Sequence, residues 1–180
     1  MEWAIVVGIL VLLVVAGIAL YNRLVTHRNR TDNAWSQVDV QLKRRYDLIP
    51  NLVETVKGYA AHERETFERV IQARGAAQAA RTVDEQAQAE NLLTGALRQL
   101  FALAEAYPQL RASENFAELS GELAETEDRI SVARQIYNDT VLTYNNSVQT
   151  VPGSLVAGPT GFRPREYFET EDVSVPRVAF

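Results

Sequence analysis

The stretch RRYDLIPNLVETVKGY, residues 44–59, decides how the first half of this chain folds, because a proline stands inside an amphipathic helical pattern. Apolar residues recur every seven positions on both sides of Pro50, and the interval does not change across it. They are Trp35, Leu42, Ile49 and Val56. A loop at the proline would usually break this register, so we predict one helix over residues 22–80, kinked near Pro50. The alternative is a helix that restarts with Asp47 as its N-cap.

Two further helices follow from the same kind of pattern. Thr82 and Glu85 have the spacing of a capping box, which predicts the start of the second helix, and Pro108 closes that helix. Apolar positions at steps of three and four predict a third helix over residues 113–149. The fold class is therefore all-α. We predict an elongated antiparallel bundle of long helices over residues 22–151.

The last stretch, residues 152–180, holds four of the six prolines. Such a segment predicts an irregular, extended C-terminal tail that contains no helix of any length. Several of its side chains are too apolar for a free segment, so part of the tail should lie along the bundle. These side chains are Phe162, Tyr167, Phe168 and Phe180. A disordered tail is the alternative.

The most apolar segment stands at the N-terminus, where residues 3–20 carry no charge. At about 1.5 Å per residue they span about 27 Å, close to the thickness of a bilayer hydrocarbon core. We therefore predict a transmembrane anchor over residues 1–21. A secretory signal peptide is an alternative, although the basic start of such a peptide is missing. A buried core helix is another, although no polar face is present.

Charge is distributed unevenly along the chain. Residues 21–60 carry seven Lys or Arg against four Asp or Glu, whereas residues 61–180 carry eleven against eighteen. The positive-inside rule then predicts an inner-membrane protein whose N-terminus lies outside and whose helical domain lies in the cytoplasm. The basic stretch is too small for a nucleic-acid face, so the expected partner of this region is the lipid bilayer.

Composition and motifs favour no reaction. The chain has no cysteine and two histidines, which excludes disulfides, thiolate zinc sites and a cysteine nucleophile. Neither His27 nor His62 stands in a Glu-x-x-His pair, and the phosphate-loop, dinucleotide-binding and G-x-S-x-G patterns are missing from the sequence. We expect no enzyme, no catalytic residue, no cofactor and no metal site.

Some polar residues lie on or beside the apolar stripes. One interpretation is that they form salt bridges that set the helix register. The other is that they line a polar seam that binds a partner or a ligand. The candidate residues are Asp39, Arg45, Asp47, Asn51, Glu127, Arg134 and Asn138.

Two long stretches carry a family resemblance. Residues 28–63 read RNRTDNAWSQVDVQLKRRYDLIPNLVETVKGYAAHE, and residues 104–145 read AEAYPQLRASENFAELSGELAETEDRISVARQIYNDTVLTYN. Both resemble signatures of the LemA family. The layout is similar too, with an anchor, a helical domain and a tail that ends in Val178, Ala179 and Phe180. The resemblance implies a bacterial single-pass membrane protein with a coiled-coil or bundle-like domain. It implies no catalytic reaction and no site residues.

Three functions fit these features. The first is a membrane-anchored scaffold or adaptor whose partners are other membrane proteins. The second is a self-assembling membrane organiser, in which the partner is a second copy of the chain. The third is a sensor that binds a small ligand in the polar seam.

Overall fold

The computed structural model describes residues 1–170, so the predicted role of Phe180 and of the terminal residues 178–180 lies outside the described residues. Within the described range all regular secondary structure is helical, with six helices and no strand. The helices are α1 (Glu2–Lys57), α2 (Arg64–Ala79), α3 (Val83–Ala106), α4 (Pro108–Arg111), α5 (Glu114–Gln149) and α6 (Gly153–Thr160). The all-α class is confirmed. The antiparallel bundle and the kink stay predictions.

Helix α1 runs without interruption through Pro50. The constant seven-residue interval therefore indicated the right structure, and the alternative of a restart at Asp47 is wrong. The apolar residues 3–20 belong to this same helix. Within α1 lies an 18-residue window of mean hydropathy 3.0, none of it buried. Over the part of the chain that is described, α1 is the one helix long and apolar enough to cross a membrane.

The predicted continuation of this helix to residue 80 is wrong. Helix α1 ends at Lys57, and a turn follows in which the N–H groups of Tyr59 and Ala60 donate to the carbonyl of Val56. Glycine has low helix propensity, and Gly58 stands where the helix ends. Ala60 and Phe67 are both buried, and their separation of seven residues imitates a continuous helix across this turn.

Helix α3 begins where the capping box predicted. The Thr82 hydroxyl accepts from the N–H of Glu85 at 3.1 Å, and the Glu85 carboxylate accepts from the N–H of Thr82 at 3.3 Å. Backbone hydrogen bonds from Arg81 and Thr82 lower the pKa of the Glu85 carboxyl. Helix α3 ends before Pro108, which opens α4. Helix α5 closely matches its predicted range.

The expectation that the tail holds no helix is wrong, because α6 covers eight of its residues. The prolines did not prevent this helix, since Pro152 precedes it and Pro159 lies in its last turn. Gly161 then ends it with φ of 77°, the left-handed conformation typical of a helix C-terminus. Phe162 and Phe168 are buried, at 8% and 1% exposure.

Contacts divide the chain into two units, and α1 and α5 contribute to both. The first unit comprises Met1–Ser36 and Gln135–Glu166. Its core contains Leu24, Tyr144, Val148, Ala157 and Phe162. Among the described residues, the second unit comprises Gln37–Arg134 and residues 167–170. Its core is larger and includes Leu42, Ile49, Val56, Val70, Leu93, Leu97, Leu100, Phe116 and Leu123. The predicted division into anchor, domain and tail stays a prediction.

Candidate functional site: a buried ion-pair network

Arg45 is the centre of a polar network inside the second unit. It belongs to α1, and only 1% of its surface is exposed, which is rare for arginine. One terminal nitrogen, Nη1, donates to Oε2 of Glu90 at 2.9 Å, and the other, Nη2, donates to the Thr94 hydroxyl at 2.9 Å. A second carboxylate comes from α5, where Oε2 of Glu127 lies 3.2 Å from Nη1. The guanidinium thus joins residues of three helices.

Glu90 is the most heavily bonded partner of Arg45. It lies on α3 and is 3% exposed. Its Oε1 accepts from the Tyr46 hydroxyl and from Nε2 of Gln86, the latter at 3.1 Å. Gln86, Glu90 and Thr94 follow one another at intervals of four, which places them on one face of α3. This spacing lets α3 supply three polar groups to one buried position.

Gln86 connects the network to the backbone. Its Nε2 lies within hydrogen-bond distance of three acceptors, namely the Tyr46 hydroxyl at 2.8 Å, the Ala77 carbonyl at 3.2 Å and Glu90. Arg74 of α2 also reaches α1, where its Nε donates to the backbone carbonyl of Tyr46 at 2.7 Å. Helices α1, α2 and α3 are therefore joined by polar side chains as well as by apolar packing.

Burial controls the electrostatics of this network. Desolvation raises the pKa of the Glu90 carboxyl, and the nearby Arg45 charge and the Tyr46 hydroxyl oppose the rise. Burial and the Glu90 carboxylate also raise the pKa of the Tyr46 hydroxyl far above its ordinary range. Tyr46 is therefore a neutral donor at physiological pH. With two carboxylates facing one guanidinium, the cluster carries a charge of −1 when both carboxylates are ionised.

Three buried polar atoms of this region make no hydrogen bond within residues 1–170. They are Oε1 of Gln41, Nε of Arg45 and Oε2 of Glu127. The contact between Glu127 and Arg45 is therefore an ion pair without hydrogen-bond geometry. Glu90, by contrast, accepts from three donors, one on Oε2 and two on Oε1. This arrangement suits a structural hub better than a proton-abstracting base.

The structure brings together two of the candidate residues, Arg45 and Glu127. Asp39 instead pairs with Lys43 at 2.8 Å on the surface, with side chains 48% and 68% exposed. Asp47 and Asn51 lie exposed on α1, outside the network. Arg134 is half-buried, and its Nη1 donates to the Thr170 hydroxyl. Asn138 is half-buried in the first unit. Whether any of these residues bind a partner stays a prediction.

Sequence reasoning missed the α3 half of the network, above all Glu90. A signal was available, since Glu90 lies three residues before Leu93 and seven before Leu97, both fully buried. A carboxylate at that phase of an apolar stripe needs a buried cation. Arg45 is a polar residue beside the apolar stripe of α1, and it forms the pair with Glu90.

The first unit holds its own polar contacts. The side-chain amide of Asn145 on α5 pairs with the backbone of Arg165. Its Nδ2 donates to the carbonyl at 2.9 Å, and its Oδ1 accepts from the N–H at 2.8 Å. The Tyr144 hydroxyl donates to the Arg163 carbonyl at 3.0 Å, and the Tyr137 hydroxyl to the Glu166 carbonyl at 2.9 Å. Burial raises the pKa of Tyr137 to about 12, so it too is a donor. These contacts hold residues 163–166 along α5.

These features define an all-helical protein with a long apolar N-terminal helix and a buried ion-pair network. Within residues 1–170, no group of three or more His, Cys, Asp or Glu side chains could hold a metal ion. The chain belongs to the LemA family, whose model matches residues 34–180.

Several relatives carry informative names. The chain is 31% identical over 189 residues to magnetosome protein MamQ 2 of Paramagnetospirillum magneticum, covering 88% of this chain and 70% of the relative. It is 28% identical over 174 residues to magnetosome protein MamQ of Magnetospirillum gryphiswaldense, covering 82% and 64%. It is 28% identical over 141 residues to protein LemA of Metamycoplasma hominis, covering 76% and 63%.

Proposed function

We propose that this protein is a membrane-anchored helical scaffold or adaptor without catalytic activity. The observation that carries the proposal is the continuity of α1. One helix contains both an exposed apolar window long enough to cross a bilayer and the buried residues Leu42, Ile49 and Val56 of the second unit. An apolar stretch of this length in water would be a large exposed patch, which soluble proteins avoid. A bilayer covers such a surface.

The buried network supports a structural role for the second unit. The charge of Arg45 is paired with Glu90 and Glu127, and both oxygens of Glu90 accept hydrogen bonds from donors of the same unit. Charges that are satisfied internally fix the packing of three helices and are not offered to a substrate. We therefore expect a partner to bind at exposed polar residues of α1, such as Asp47 and Asn51.

The charge that follows the anchor supports a cytoplasmic position for residues 21–180. Arg23, Arg28 and Arg30 lie within ten residues of Leu20, whereas the charged side chain on the other side of the apolar segment is that of Glu2. Basic residues near the end of a span favour the cytoplasmic side. We therefore place the scaffold on the cytoplasmic face of the inner membrane, where it meets other membrane proteins.

The second candidate is a self-assembling organiser of the membrane. Ala4 and Gly8 form a small-xxx-small pair in the anchor, and a Cβ added at Gly8 would meet nothing within 4 Å. Such pairs let a second transmembrane helix approach closely. Two of the relatives are named as magnetosome proteins. A ligand sensor is the third candidate.

The experiment that tests the proposal is photocrosslinking in cells, with a photoreactive residue placed in turn at Asp47 and at Asn138. The adaptor role predicts that one distinct membrane protein is captured at one or both positions. A probe at the exposed Glu105 of α3 is the matched control, and a protein captured equally there counts as background. Capture of only the chain itself would replace the adaptor with the organiser. Capture of nothing at either position would overturn both partner-binding roles for this surface.

A further inference from the structure

A cleft of about 390 Å³ lies in the first unit, at the point where the apolar segment of α1 ends. Leu20, Arg23 and Leu24 of α1 form one side. The end of α5 and the turn that follows it form the other side, which includes Asn146 and Val151. The cleft therefore joins apolar walls to a single cationic side chain.

The position of the cleft along α1 corresponds to the headgroup layer of a membrane, a step that rests on the proposed anchor. Arg23 lies three residues beyond Leu20, or about 4.5 Å along the helix axis. The headgroup layer on each side of a bilayer is about 5–7 Å thick. Arg30, ten residues beyond Leu20 and about 15 Å along the axis, falls outside that layer.

Arg23 is arranged to bind an anion. Its Nε donates to Nε2 of His27 at 3.4 Å, and its terminal nitrogens make no hydrogen bond within residues 1–170. Burial lowers the pKa of His27, with Arg23 and Arg30 adding to the effect, so His27 is a neutral acceptor at neutral pH. Arg23 is the one charged residue among those that line the cleft, and no carboxylate of the described residues lines it. The site therefore keeps a net positive charge.

The opposite wall offers one free donor. The hydroxyls of Thr143, Ser147 and Thr150 donate to α5 carbonyls at 3.0, 2.8 and 2.6 Å. The side-chain amide of Asn146, exposed between them, makes no hydrogen bond in the part of the chain that is described. A guanidinium and an amide facing one space are suited to the oxygens of a phosphate group.

The apolar lining points to a lipid as the source of that phosphate. Val151 is 74% exposed at the edge of the cleft, and Leu20 stands where the apolar segment ends. An aqueous anion would leave these side chains in water, whereas the glycerol and first acyl carbons of a lipid would cover them. The missing carboxylate disfavours a headgroup with a cationic end. We infer that this cleft binds the phosphate of an anionic phospholipid, with Arg23 and Asn146 as donors.

The test uses the full chain, solubilised in a mild detergent and titrated with phosphatidylglycerol or phosphatidylcholine, with bound lipid counted by native mass spectrometry. We expect one phosphatidylglycerol per chain at lower concentration than phosphatidylcholine. Loss of one charge-assisted hydrogen bond weakens binding about tenfold. We therefore expect that loss for Arg23→Gln and a smaller one for Asn146→Ala. Arg30→Gln is the matched control, since it removes the same charge from the same helix, and it should bind like the wild type.

Each other outcome contradicts the inference. Equal losses in Arg23→Gln and Arg30→Gln would indicate general surface charge instead of a site. Equal binding of phosphatidylglycerol and phosphatidylcholine would contradict a preference for an anionic headgroup. Equally tight binding of glycerol phosphate, measured by competition, would replace the lipid with a free phosphate. Extraction of the chain from cell membranes by alkaline carbonate, assayed separately, tests the anchor. A chain that resists extraction but binds no lipid would contradict the proposed lipid site and would still support the proposed anchor.

Discussion

Arg74 occupies the hydrogen-bonding position that Pro50 leaves empty. In a regular helix the carbonyl of Tyr46 would accept from the N–H of residue 50, but proline has no N–H. Nε of Arg74 donates to that carbonyl at 2.7 Å from the neighbouring helix α2. A polar side chain from a second helix thus lets α1 continue through the proline with its carbonyl satisfied.

The first prediction is a thermodynamic coupling between these two residues. Arg74→Met should lower the free energy of unfolding by about 1–3 kcal/mol, because the Tyr46 carbonyl is left without a partner. In a Pro50→Ala background the alanine N–H takes over, so the same substitution should cost about 1 kcal/mol less. Denaturant unfolding of the full chain in detergent, followed by far-UV circular dichroism, measures the cycle. Arg98→Met, exposed on α3, is the control, and additive losses would contradict the coupling.

The second prediction concerns the buried pair of Arg45 and Glu90. Arg45→Met should destabilise the chain by about 3–5 kcal/mol, since it leaves two carboxylates facing each other without a cation. Arg45→Lys should recover part of the loss, because an ammonium lacks the planar fork that reaches Glu90 and Thr94 together. Lys43→Met breaks an exposed bridge on the same helix and should be close to wild type. Denaturant unfolding of the full chain measures these differences in stability. Equal effects of Lys43→Met and Arg45→Met would contradict the predicted importance of the buried pair.

The third prediction is a dependence of stability on pH. Burial holds the folded-state pKa of Glu90 above its ordinary value of 4.5. Between that value and the raised pKa, the folded chain binds more protons than the unfolded chain, so stability falls as pH rises through this window. Glu90→Gln should therefore flatten the stability profile there.

The control for that profile is Glu85, whose pKa is lowered by backbone hydrogen bonds. Its contribution to stability grows as pH rises from its folded-state pKa to the ordinary value of 4.5 and is constant above that value. Glu85→Gln should therefore remove a rise in stability below pH 4.5 and leave the slope in the Glu90 window unchanged. Melting temperatures recorded across mildly acidic pH would compare the two variants with the wild type. Parallel profiles for wild type and Glu90→Gln would show that Glu90 is not held protonated by burial.

Local sequence patterns predicted most of the helices. These predictions failed where two different structures produce the same pattern. The interval from Trp35 to Val56 correctly carried α1 through Pro50, and Thr82 with Glu85 correctly placed the start of α3. The turn after Lys57 was not predicted, because the buried residues Ala60 and Phe67 on its two sides are seven positions apart, the same interval as in a continuous helix. The number of prolines did not predict helix α6, because Pro152 precedes this helix and Pro159 lies in its last turn.

The candidate site was half predictable for a related reason. Arg45 and Glu127 each occupy a polar position on an apolar stripe, which a single helix reveals. The pairing of Arg45 with Glu90 joins residues 45 positions apart, and which helices pack together decides it. The partnership of Arg74 with the Tyr46 carbonyl depends in the same way on how α2 returns after the turn.

The fourth prediction concerns residues 163–166. Asn145 bonds both the N–H and the carbonyl of Arg165, so Asn145→Ala should release this segment. Limited trypsin digestion should then cleave after Arg165 several-fold faster, because a protease needs a locally detached chain. Asn146→Ala changes the neighbouring residue, which is exposed, and is the matched control. Equal cleavage rates in the two variants would show that Asn145 does not hold the segment.

The last prediction is the orientation of the chain in the membrane. The sequence has no cysteine, so one introduced thiol is the sole site in this chain that a membrane-impermeant maleimide can label. If the N-terminus lies outside, Glu2→Cys should be labelled in intact spheroplasts, whereas the exposed Asn51→Cys should be labelled only after the membrane is opened. The reverse pattern would move the second unit outside the cell and remove the cytoplasmic adaptor. Loss of the Glu2→Cys thiol from the mature protein would instead identify the apolar segment as a cleaved signal peptide.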